Sequence, residues 1–404
     1  MNNPVYFSAP GCVCAAGLNA AELWHAVTHA HQNGIVPVRT AAGDQFFAAR
    51  VPDSALENAN GRYNMHIIRL EEAALKQIAT DIELAMERYG AQRVGVCVGS
   101  CDNGSEFSLA NHRVYFEQGE FPETYELEMQ GADYVATFVQ ELYHMQGPVL
   151  AFSTACSSSA GAIIKAAELI QCGAADAVVA GGVDIASDTV LKGFNSLEAI
   201  SPVPTNPFSK NRRGISLGDG AAFFVLSKEP LHTSSAAVVL AGYGESADAH
   251  HMTAPDPQGI GATAAMKQAL QDAGISAHDI DYVNLHGTGT KFNDAMEAEA
   301  LKNVFGGRAV PCSSTKSITG HTLGAAGALE AAICYETLVQ NENADTVCLP
   351  QQVWDGQTDS ALPPINIVDS AFACSTINKK PSYCMSNSFA FGGSNVALIL
   401  HKKN

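Results

Sequence analysis

The sequence predicts an α/β fold built from two halves that share a similar order of strands and helices. Short apolar segments that suit buried strands alternate along the chain with longer amphipathic segments that suit helices. The order of these segments then repeats in the second half, which indicates an internal duplication without obvious sequence identity. We expect a first half over 1–230, a polar linker over 230–235 and a second half over 236–404.

Apolar runs predict the strands, and apolar residues at helical spacing predict the helices. In the first half the predicted strands are 5–8, 94–98, 149–152, 177–182 and 221–226, and the predicted helices are 20–28 (capped by Asn19), 67–89, 134–143 and one after Cys156. In the second half the predicted strands are 237–243, 280–285, one ending at 313–315, 383–388 and 396–400, and the predicted helices are 261–274, 294–305 and 323–339. The proline-dotted segment 345–376 reads as irregular surface structure.

Composition narrows the class of protein. The 404 residues are 47% hydrophobic, which indicates a globular chain with a substantial core. The net charge of −18 argues against nucleic acid and anionic membranes as partners. No signal peptide and no apolar segment long enough to span a membrane is evident. Eleven scattered cysteines suit reduced thiols and a cytoplasmic location, and their spacing lacks a paired metal-binding motif, so we expect no metal.

Cys156 lies where the strand at 149–152 passes through small residues into a helical pattern. The free N–H groups and the positive dipole end of a helix favour a thiolate at such a junction. Its small neighbours, Ala155 and Ser157 to Ser159, leave room for a substrate. A buried structural cysteine is the alternative, and a nucleophile requires a base or polarising group from elsewhere in the chain.

Two histidines in the second half supply that group. His286 ends the strand at 280–285, and His321 stands just before a helix rich in small residues. Both are flanked by glycine and lie at strand-end loops, where the sites of α/β proteins form. The two glycines after Phe391 allow close approach of the backbone, whose N–H groups can stabilise an oxyanion.

Four motifs together resemble the β-ketoacyl-acyl carrier protein synthase family. They are Ser-Thr-Ala-Cys156-Ser-Ser-Ser, His286-Gly-Thr-Gly-Thr, Lys316 with Gly-His321-x-x-Gly-Ala-Ala-Gly, and Asn-Ser-Phe-Ala-Phe391-Gly-Gly-Ser-Asn. The segment 206–220 also resembles the Pro-Phe-Asp-x-x-Arg-x-Gly segment of that family. The resemblance implies a thiolase-like, five-layer α-β-α-β-α sandwich of two duplicated halves. It also implies a homodimer, or a heterodimer with a chain-length-factor-like homologue.

The resemblance implies an acyltransferase that elongates acyl chains. Cys156 would take an acyl group from an acyl carrier protein as a thioester. His286 and His321 would then donate hydrogen bonds from Nε2 to a malonyl thioester as it loses CO₂. The backbone N–H groups of Cys156 and Phe391 would form the oxyanion hole. No cofactor is expected beyond the phosphopantetheine arm that carries the substrates.

Further positions are implied by the same resemblance. Lys316 and Glu330 are expected to orient His321, and the hydroxyls of Thr288 and Thr290 to bind the pantetheine arm.

Four positions concern the acyl pocket and the helix after His286. Phe391 and Phe389 would form a gate between the pantetheine tunnel and the acyl pocket. Phe107, within 100–107, would lie at the floor of that pocket. Asp294 matches a family position and is expected to act as a helix N-cap.

Acyl carrier proteins are acidic, so docking requires a local basic patch on this acidic chain. Two clusters are candidates, and ordinary surface charge is the alternative for both. The first cluster is Lys210, Arg212 and Arg213; the second is Arg62 and Arg69.

Two departures from the family pattern favour a specialised polyketide or aryl polyene pathway over housekeeping fatty acid synthesis. Ser209 stands where aspartate is common, and three serines follow Cys156. A chain-length factor, which templates without a nucleophile, is the main alternative, but the cysteine and both histidines argue against it. A degradative thiolase needs a second cysteine in a Cys-x-Gly loop, whereas Cys384 lies within a strand. A synthase that uses acetyl-coenzyme A directly has one histidine and one asparagine.

Overall fold

The computed structural model describes residues 4–59, 61–232, 237–372 and 379–403. The helices are α1 (Ala20–Thr28), α2 (His66–Gln77), α3 (Ala79–Tyr89), α4 (Ser105–Gln118), α5 (Tyr134–Tyr143), α6 (Ser158–Gln171), α7 (Asp188–Ser196), α8 (Ile260–Ala273), α9 (Lys291–Phe305), α10 (Lys316–Thr319) and α11 (Ala326–Gln340). The strands are β1 (Val5–Phe7), β2 (Gly11–Cys14), β3 (Val36–Arg39), β4 (Gln45–Ala49), β5 (Val94–Gly99), β6 (Val149–Phe152), β7 (Ala177–Asp184), β8 (Leu217–Gly218), β9 (Gly220–Ser227), β10 (Val238–Ala247), β11 (Tyr282–Asn284), β12 (Pro311–Ser313), β13 (Asn366–Ile367), β14 (Tyr383–Phe389) and β15 (Ser394–Lys402).

The two halves repeat one strand order. The first half runs β1-β9-β7-β5-β6 and the second half runs β10-β15-β14-β11-β12. The directions also match, because β5 is parallel to β6 and β7 as β11 is parallel to β12 and β14. The halves meet where β1 pairs antiparallel with β10, with Val5 opposite Leu240. The duplication predicted from the alternating pattern is confirmed by this topology.

Each half-sheet has helices on its outer face, and a shared layer of helices lies between the two half-sheets. α6 and α11 contact each other and strands of both halves, so they form the central layer. Their apolar faces fill the largest buried cluster, with Ile163, Ile164, Leu329 and Ile333 at its centre. α2, α3 and α5 cover the outer face of the first half, and α8 and α9 cover that of the second. The result is the thiolase-like five-layer sandwich that the resemblance implies.

The predicted long helix over 67–89 is two helices. The backbone breaks at Ile78, with φ −112° and ψ 13°, between α2 and α3. Gln77 holds the break, because its Nε2 donates to the carbonyls of Cys12 at 3.1 Å and Leu18 at 3.0 Å. The start of α2 is capped from outside, since the Glu106 carboxylate accepts the N–H groups of His66 and Ile67.

Most other predicted elements are found within a few residues of their predicted bounds. The cap at Asn19 is confirmed, since its Oδ1 accepts from the Glu22 N–H at 2.9 Å. Helices α4 and α7 were not predicted. Positions 233–235 of the proposed linker and 373–376 of the irregular segment lie outside the described residues, and the boundary between the halves stays a prediction. Within the described ranges, no helix is long and apolar enough to cross a membrane.

Candidate active site

Cys156 lies on a strained turn between β6 and α6. The turn is a short 3₁₀ segment, Ala155–Ser157, and Ala155 has φ +53°, a left-handed conformation that is rare outside glycine. Ser158 stabilises the turn, because its Oγ accepts the Thr154 N–H at 2.9 Å and donates to the Ala155 carbonyl at 2.6 Å. The Cys156 side chain is buried in the interior, 5% exposed.

His321 brings the second half of the chain to this cysteine. Its Nε2 lies 3.0 Å from Sγ of Cys156. On the other side of the ring, Nδ1 accepts the backbone N–H of Leu323 at 3.2 Å. A neutral imidazole with an acceptor Nδ1 carries its proton on Nε2. His321 therefore donates a hydrogen bond to the sulfur.

His286 stands beside His321 at the end of β11, with ring centroids 5.3 Å apart and rings nearly perpendicular. The ammonium of Lys316 donates to Nδ1 of His286 at 3.3 Å, so its Nε2 also carries the proton. The Glu297 carboxylate fixes the loop, accepting the N–H of His286 at 2.9 Å and of Gly287 at 2.7 Å. Both Nε2–H groups are thus available as donors in the site.

Lys316 and Glu330 form a buried ion pair. Burial raises the pKa of Glu330 to about 7, and the Lys316 charge opposes that shift. The sequence led us to expect that this pair orients His321. In the structure Lys316 instead contacts His286, while the backbone of Leu323 orients His321.

Burial sets the protonation of the three central groups. It lowers the pKa of His286 and of His321 well below the ordinary value, and the nearby Lys316 charge acts in the same direction. Both rings are therefore neutral at pH 7. Burial also raises the pKa of the Cys156 thiol to about 11, although Lys316 and the Phe391 N–H lower it. The expectation of a stabilised thiolate, based on the helix N-terminus, is outweighed by burial.

Phe391 separates the buried cysteine from an open cleft. Its backbone N–H points to the Cys156 thiol closely enough to lower the pKa of that thiol. The next two residues, Gly392 and Gly393, have φ of +85° and +83°, which the tight turn requires and which glycine adopts without strain. The Phe391 ring stacks on Phe194 with centroids 5.9 Å apart, while the buried Phe389 ring lies 6.4 Å from that of His286.

The cleft in front of Phe391 has a volume of about 550 Å³. Thr290 lines it, and its hydroxyl is 3.0 Å from that of the buried Thr288. The exposed cations Arg213 and Lys291 stand at the mouth.

Cys156, His286 and His321 place their ligand atoms within 4.8 Å of one another, close enough to hold a metal ion. Their hydrogen bonds suit a different role. A metal-binding Nε2 needs an Nδ1–H that donates to an acceptor. Here Nδ1 of each ring faces a donor, the Leu323 N–H or the Lys316 ammonium. The two rings are arranged as hydrogen-bond donors.

Two predicted residues have other surroundings than expected. Asp294 is not an N-cap, because α9 begins at Lys291; its buried carboxylate accepts the N–H of Phe208 at 2.7 Å and of Gly289 at 3.0 Å. Arg212 is wrong as a docking residue, since it is 7% exposed and forms a hydrogen-bonded ion pair with Asp359 at 2.6 Å.

The remaining docking and pocket predictions stay open. Arg62 forms ion pairs with Glu126 and Glu141, and Arg69 with Asp53 at 3.2 Å. Lys210 is exposed, as is Arg213. Phe107 lies on α4 and stacks on Tyr125 with centroids 5.8 Å apart.

Comparison with known proteins agrees with this geometry. Residues 65–232 match the family described as "Beta-ketoacyl synthase, N-terminal domain", and residues 237–348 match "Beta-ketoacyl synthase, C-terminal domain". A protein of Coxiella burnetii named 3-oxoacyl-[acyl-carrier-protein] synthase 2 is 32% identical, covering 98% of both chains. Nodulation protein E of Rhizobium sp. (strain N33) is 31% identical, covering 100% of both.

A solved structure is similar over the same extent. One chain in the complex of the ketosynthase ApeO with its chain length factor ApeC, from Xenorhabdus doucetiae, is 36% identical with a TM-score of 0.87. The match covers 99% of this chain and 98% of that one. The two family domains together match most of the chain, and relatives match it over nearly its full length. The chain therefore belongs to the β-ketoacyl synthase family.

Proposed function

We propose that this chain is a 3-oxoacyl-[acyl-carrier-protein] synthase that condenses an acyl group held on Cys156 with a malonyl group on an acyl carrier protein. One observation carries the proposal: Cys156 Sγ lies 3.0 Å from Nε2 of a neutral histidine, with a second neutral histidine beside it. A nucleophile with two adjacent neutral donors suits a reaction that forms an enolate without a strong base.

In the first step Sγ of Cys156 attacks the carbonyl of an acyl thioester on the carrier. The new S–C bond replaces the bond to the pantetheine sulfur, which leaves with the proton of the cysteine thiol. The developing oxyanion is held by the backbone N–H groups of Cys156 and Phe391. The effect of the Phe391 N–H on the pKa of the Cys156 thiol supports this role, because that effect requires the donor to lie near the sulfur.

In the second step a malonyl thioester loses CO₂ when the bond between its C2 and its carboxylate breaks. The electron pair forms an enolate, whose oxygen accepts Nε2–H from His286 and His321. C2 then attacks the acyl carbonyl, the bond to Sγ breaks, and Cys156 regains a proton from solvent. Lys316, paired with Glu330, fixes the donor tautomer of His286. No further cofactor is proposed.

The acyl carrier protein would deliver its pantetheine arm through the cleft in front of Phe391. Thr288 and Thr290 present hydroxyls along it, and Phe389 and Phe391 would gate the passage to the acyl pocket. At the mouth, Arg213 and Lys291 offer positive charge to an acidic carrier.

We further propose a heterodimer with a basic, chain-length-factor-like homologue. Among the described residues β6 ends the sheet and pairs with β5 alone. Apolar residues of α4 are exposed beside the chain's other surface groups, including Leu109 at 58% and Phe116 at 82%, and a partner would bury them. The segment 117–133 carries six acidic residues and no Lys or Arg. A symmetric homodimer would place this surface against its own copy, which like charges disfavour. A stable homodimer of the chain alone at about 0.15 M salt would contradict this.

Two further proposals concern the biosynthetic pathway of the protein and its location in the cell. The solved complex of ApeO with a chain length factor supports a specialised polyketide or aryl polyene pathway. We propose a cytoplasmic location, based on nine described cysteines, Cys348 not counted, whose thiols are free.

A chain-length-factor-type subunit is the alternative function, since such subunits share the fold. A templating subunit does not need a nucleophile, whereas here Cys156, His286 and His321 are assembled with their hydrogen bonds in place.

The variant Cys156→Ala tests the proposal. With acyl and malonyl carrier proteins, the wild type should release CO₂ and form the 3-oxoacyl product. The variant should form no product, yet it should still decarboxylate malonyl thioester, because both histidines are retained. Cys384→Ala is the matched control: it removes another buried cysteine, which lies within β14, and should keep condensation. Chain elongation by the Cys156→Ala variant would refute the proposal.

A further inference from the structure

Asp184, at the end of β7, is a buried acid that no motif singles out. It is 1% exposed. Its Oδ2 accepts two backbone N–H groups, from Cys101 at 2.8 Å and from Gly324 at 2.8 Å, and its Oδ1 accepts the N–H of Ile185 at 3.2 Å. The carboxylate thus connects the first half of the chain to the turn that follows His321 in the second half.

That turn determines the proton position on His321. Leu323, the residue before Gly324, donates its N–H to Nδ1 of His321. Leu323 does so in a left-handed conformation, with φ +51°, which a leucine adopts only when its surroundings impose it. Without this donor, Nδ1 could carry the proton, and Nε2 would face Cys156 as an acceptor.

The two halves hold their equivalent turns differently. In the first half, the turn at Ala155 is stabilised locally by the Ser158 hydroxyl, one turn of chain away. In the second half, the turn at Leu323 is held by Asp184 from the opposite half. The turn at Leu323 is tightly packed against Asp184, since a Cβ added to Gly324 would lie 2.8 Å from Oδ2 of Asp184.

We infer that Asp184 is a positioning residue for the condensation: its carboxylate holds the strained Leu323–Gly324 turn and thereby keeps His321 as an Nε2–H donor to Cys156. The inference rests on the proposed function for its kinetic consequence, but its structural consequence can be measured without turnover.

Charge gives a second, separable effect. Asp184 faces Cys101, Asp102, Tyr134 and Cys156, and no cation is among these neighbours. Burial raises the pKa of Asp184 to about 7, so this carboxylate is ionised in the range near pH 11 where Cys156 titrates, and its negative charge raises the pKa of that thiol. Loss of the charge alone should therefore move the thiol titration to lower pH.

Two variants separate the effects. In Asp184→Ala the Gly324 N–H of the turn and the Cys101 N–H lose their shared acceptor, Oδ2. The ¹⁵N signals of His321 should change from the Nε2–H tautomer to a mixture, and kcat should fall about ten- to a hundred-fold with KM for the malonyl carrier nearly unchanged. In Asp184→Asn the amide oxygen can still accept both N–H groups. The tautomer should persist, while the pH midpoint for Cys156 alkylation falls.

Asp102→Asn is the matched control, because Asp102 is a buried acid nearby that bonds Tyr134 and Ser105 but not the turn. It should leave the His321 tautomer unchanged. If Asp184→Ala folds and keeps the wild-type His321 signals, the inference is wrong. If that variant does not fold, loss of the Nε2–H tautomer of His321 in Asp184→Asn, which keeps the acceptor of the Gly324 N–H, overturns the inference. An unchanged alkylation midpoint in Asp184→Asn overturns the charge effect. Absence of condensation by the wild type would refute the proposed function instead, leaving the tautomer result valid.

Discussion

Replacing Glu71 by leucine is expected to stabilise the fold, and the gain should grow as the pH rises from 5 to 7. Glu71 lies on the inner face of α2 and is 0% exposed. Neither carboxylate oxygen has a hydrogen-bond partner among the described residues. Burial raises the pKa of this carboxyl well above its ordinary value of 4.5, so the folded chain keeps the group protonated to higher pH than the unfolded chain does.

The size of the effect follows from linkage. A raised acid pKa means that the folded state binds a proton that the unfolded state releases above pH 4.5. Stability is therefore highest below that pH and falls by about 1.4 kcal/mol per pH unit above it, until the folded-state pKa is reached. The cost is at most about 0.9 kcal/mol at pH 5 and at most about 3.4 kcal/mol at pH 7, the limits reached when the folded-state pKa lies above these pH values. Leucine removes this cost.

Thermal unfolding at the two pH values measures it. For a chain of this length, about 1 kcal/mol corresponds to about 1.2 °C in Tm, so the gain of the variant over wild type should widen between pH 5 and pH 7, by at most about 3 °C. Glu72→Leu is the matched control, since Glu72 is next in sequence and pairs with Lys76 at 3.1 Å. Its Tm difference should not widen. A gain for Glu71→Leu that is absent, or equal at both pH values, would refute the reasoning.

The remaining predictions concern the site and its mouth. Lys316→Met should slow decarboxylation by about ten- to a hundred-fold, because Lys316 donates a hydrogen bond to His286. It should also move the Cys156 titration to higher pH, because the Lys316 charge lowers the pKa of the thiol. The rate of Cys156 alkylation measured against pH checks the second effect. Arg213→Glu should raise KM for the carrier about ten-fold, and less at high salt, in steady-state assays. Arg212→Ala should leave the KM for the carrier unchanged. In urea unfolding, the same variant should be less stable than wild type by about 2–3 kcal/mol. This loss is somewhat smaller than for a fully buried ion pair, because the partner Asp359 is 20% exposed.

The sequence predicted the fold well where periodicity is local. The strand before Cys156 and the helix after it follow directly from an apolar run and from helical spacing. The break at Ile78 carried no local signal such as glycine or proline. It depends on the contact of Gln77 with Cys12, a residue 65 positions away. α4 was missed because its exposed apolar residues blur the amphipathic pattern.

For the site, motifs identified the reacting groups but not what surrounds them. Cys156, His286 and His321 meet as the resemblance implied. Arg212 reads as a surface charge beside Arg213, and only its partner 147 positions away reveals that it is buried. Asp184 ends an otherwise apolar strand at the edge where sites form, a signal that could have been used. Its contact with Gly324 is not visible in sequence.

The central claim is that Cys156 holds the acyl chain. Intact mass of the protein after mixing with acyl carrier proteins that bear different chains tests it most directly. The account predicts a mass increase of one acyl group, mapped by proteolysis to the peptide containing Cys156 and absent in Cys156→Ala, with the preferred chain showing the fastest labelling. Acylation of another residue, or labelling that persists in Cys156→Ala, would contradict it.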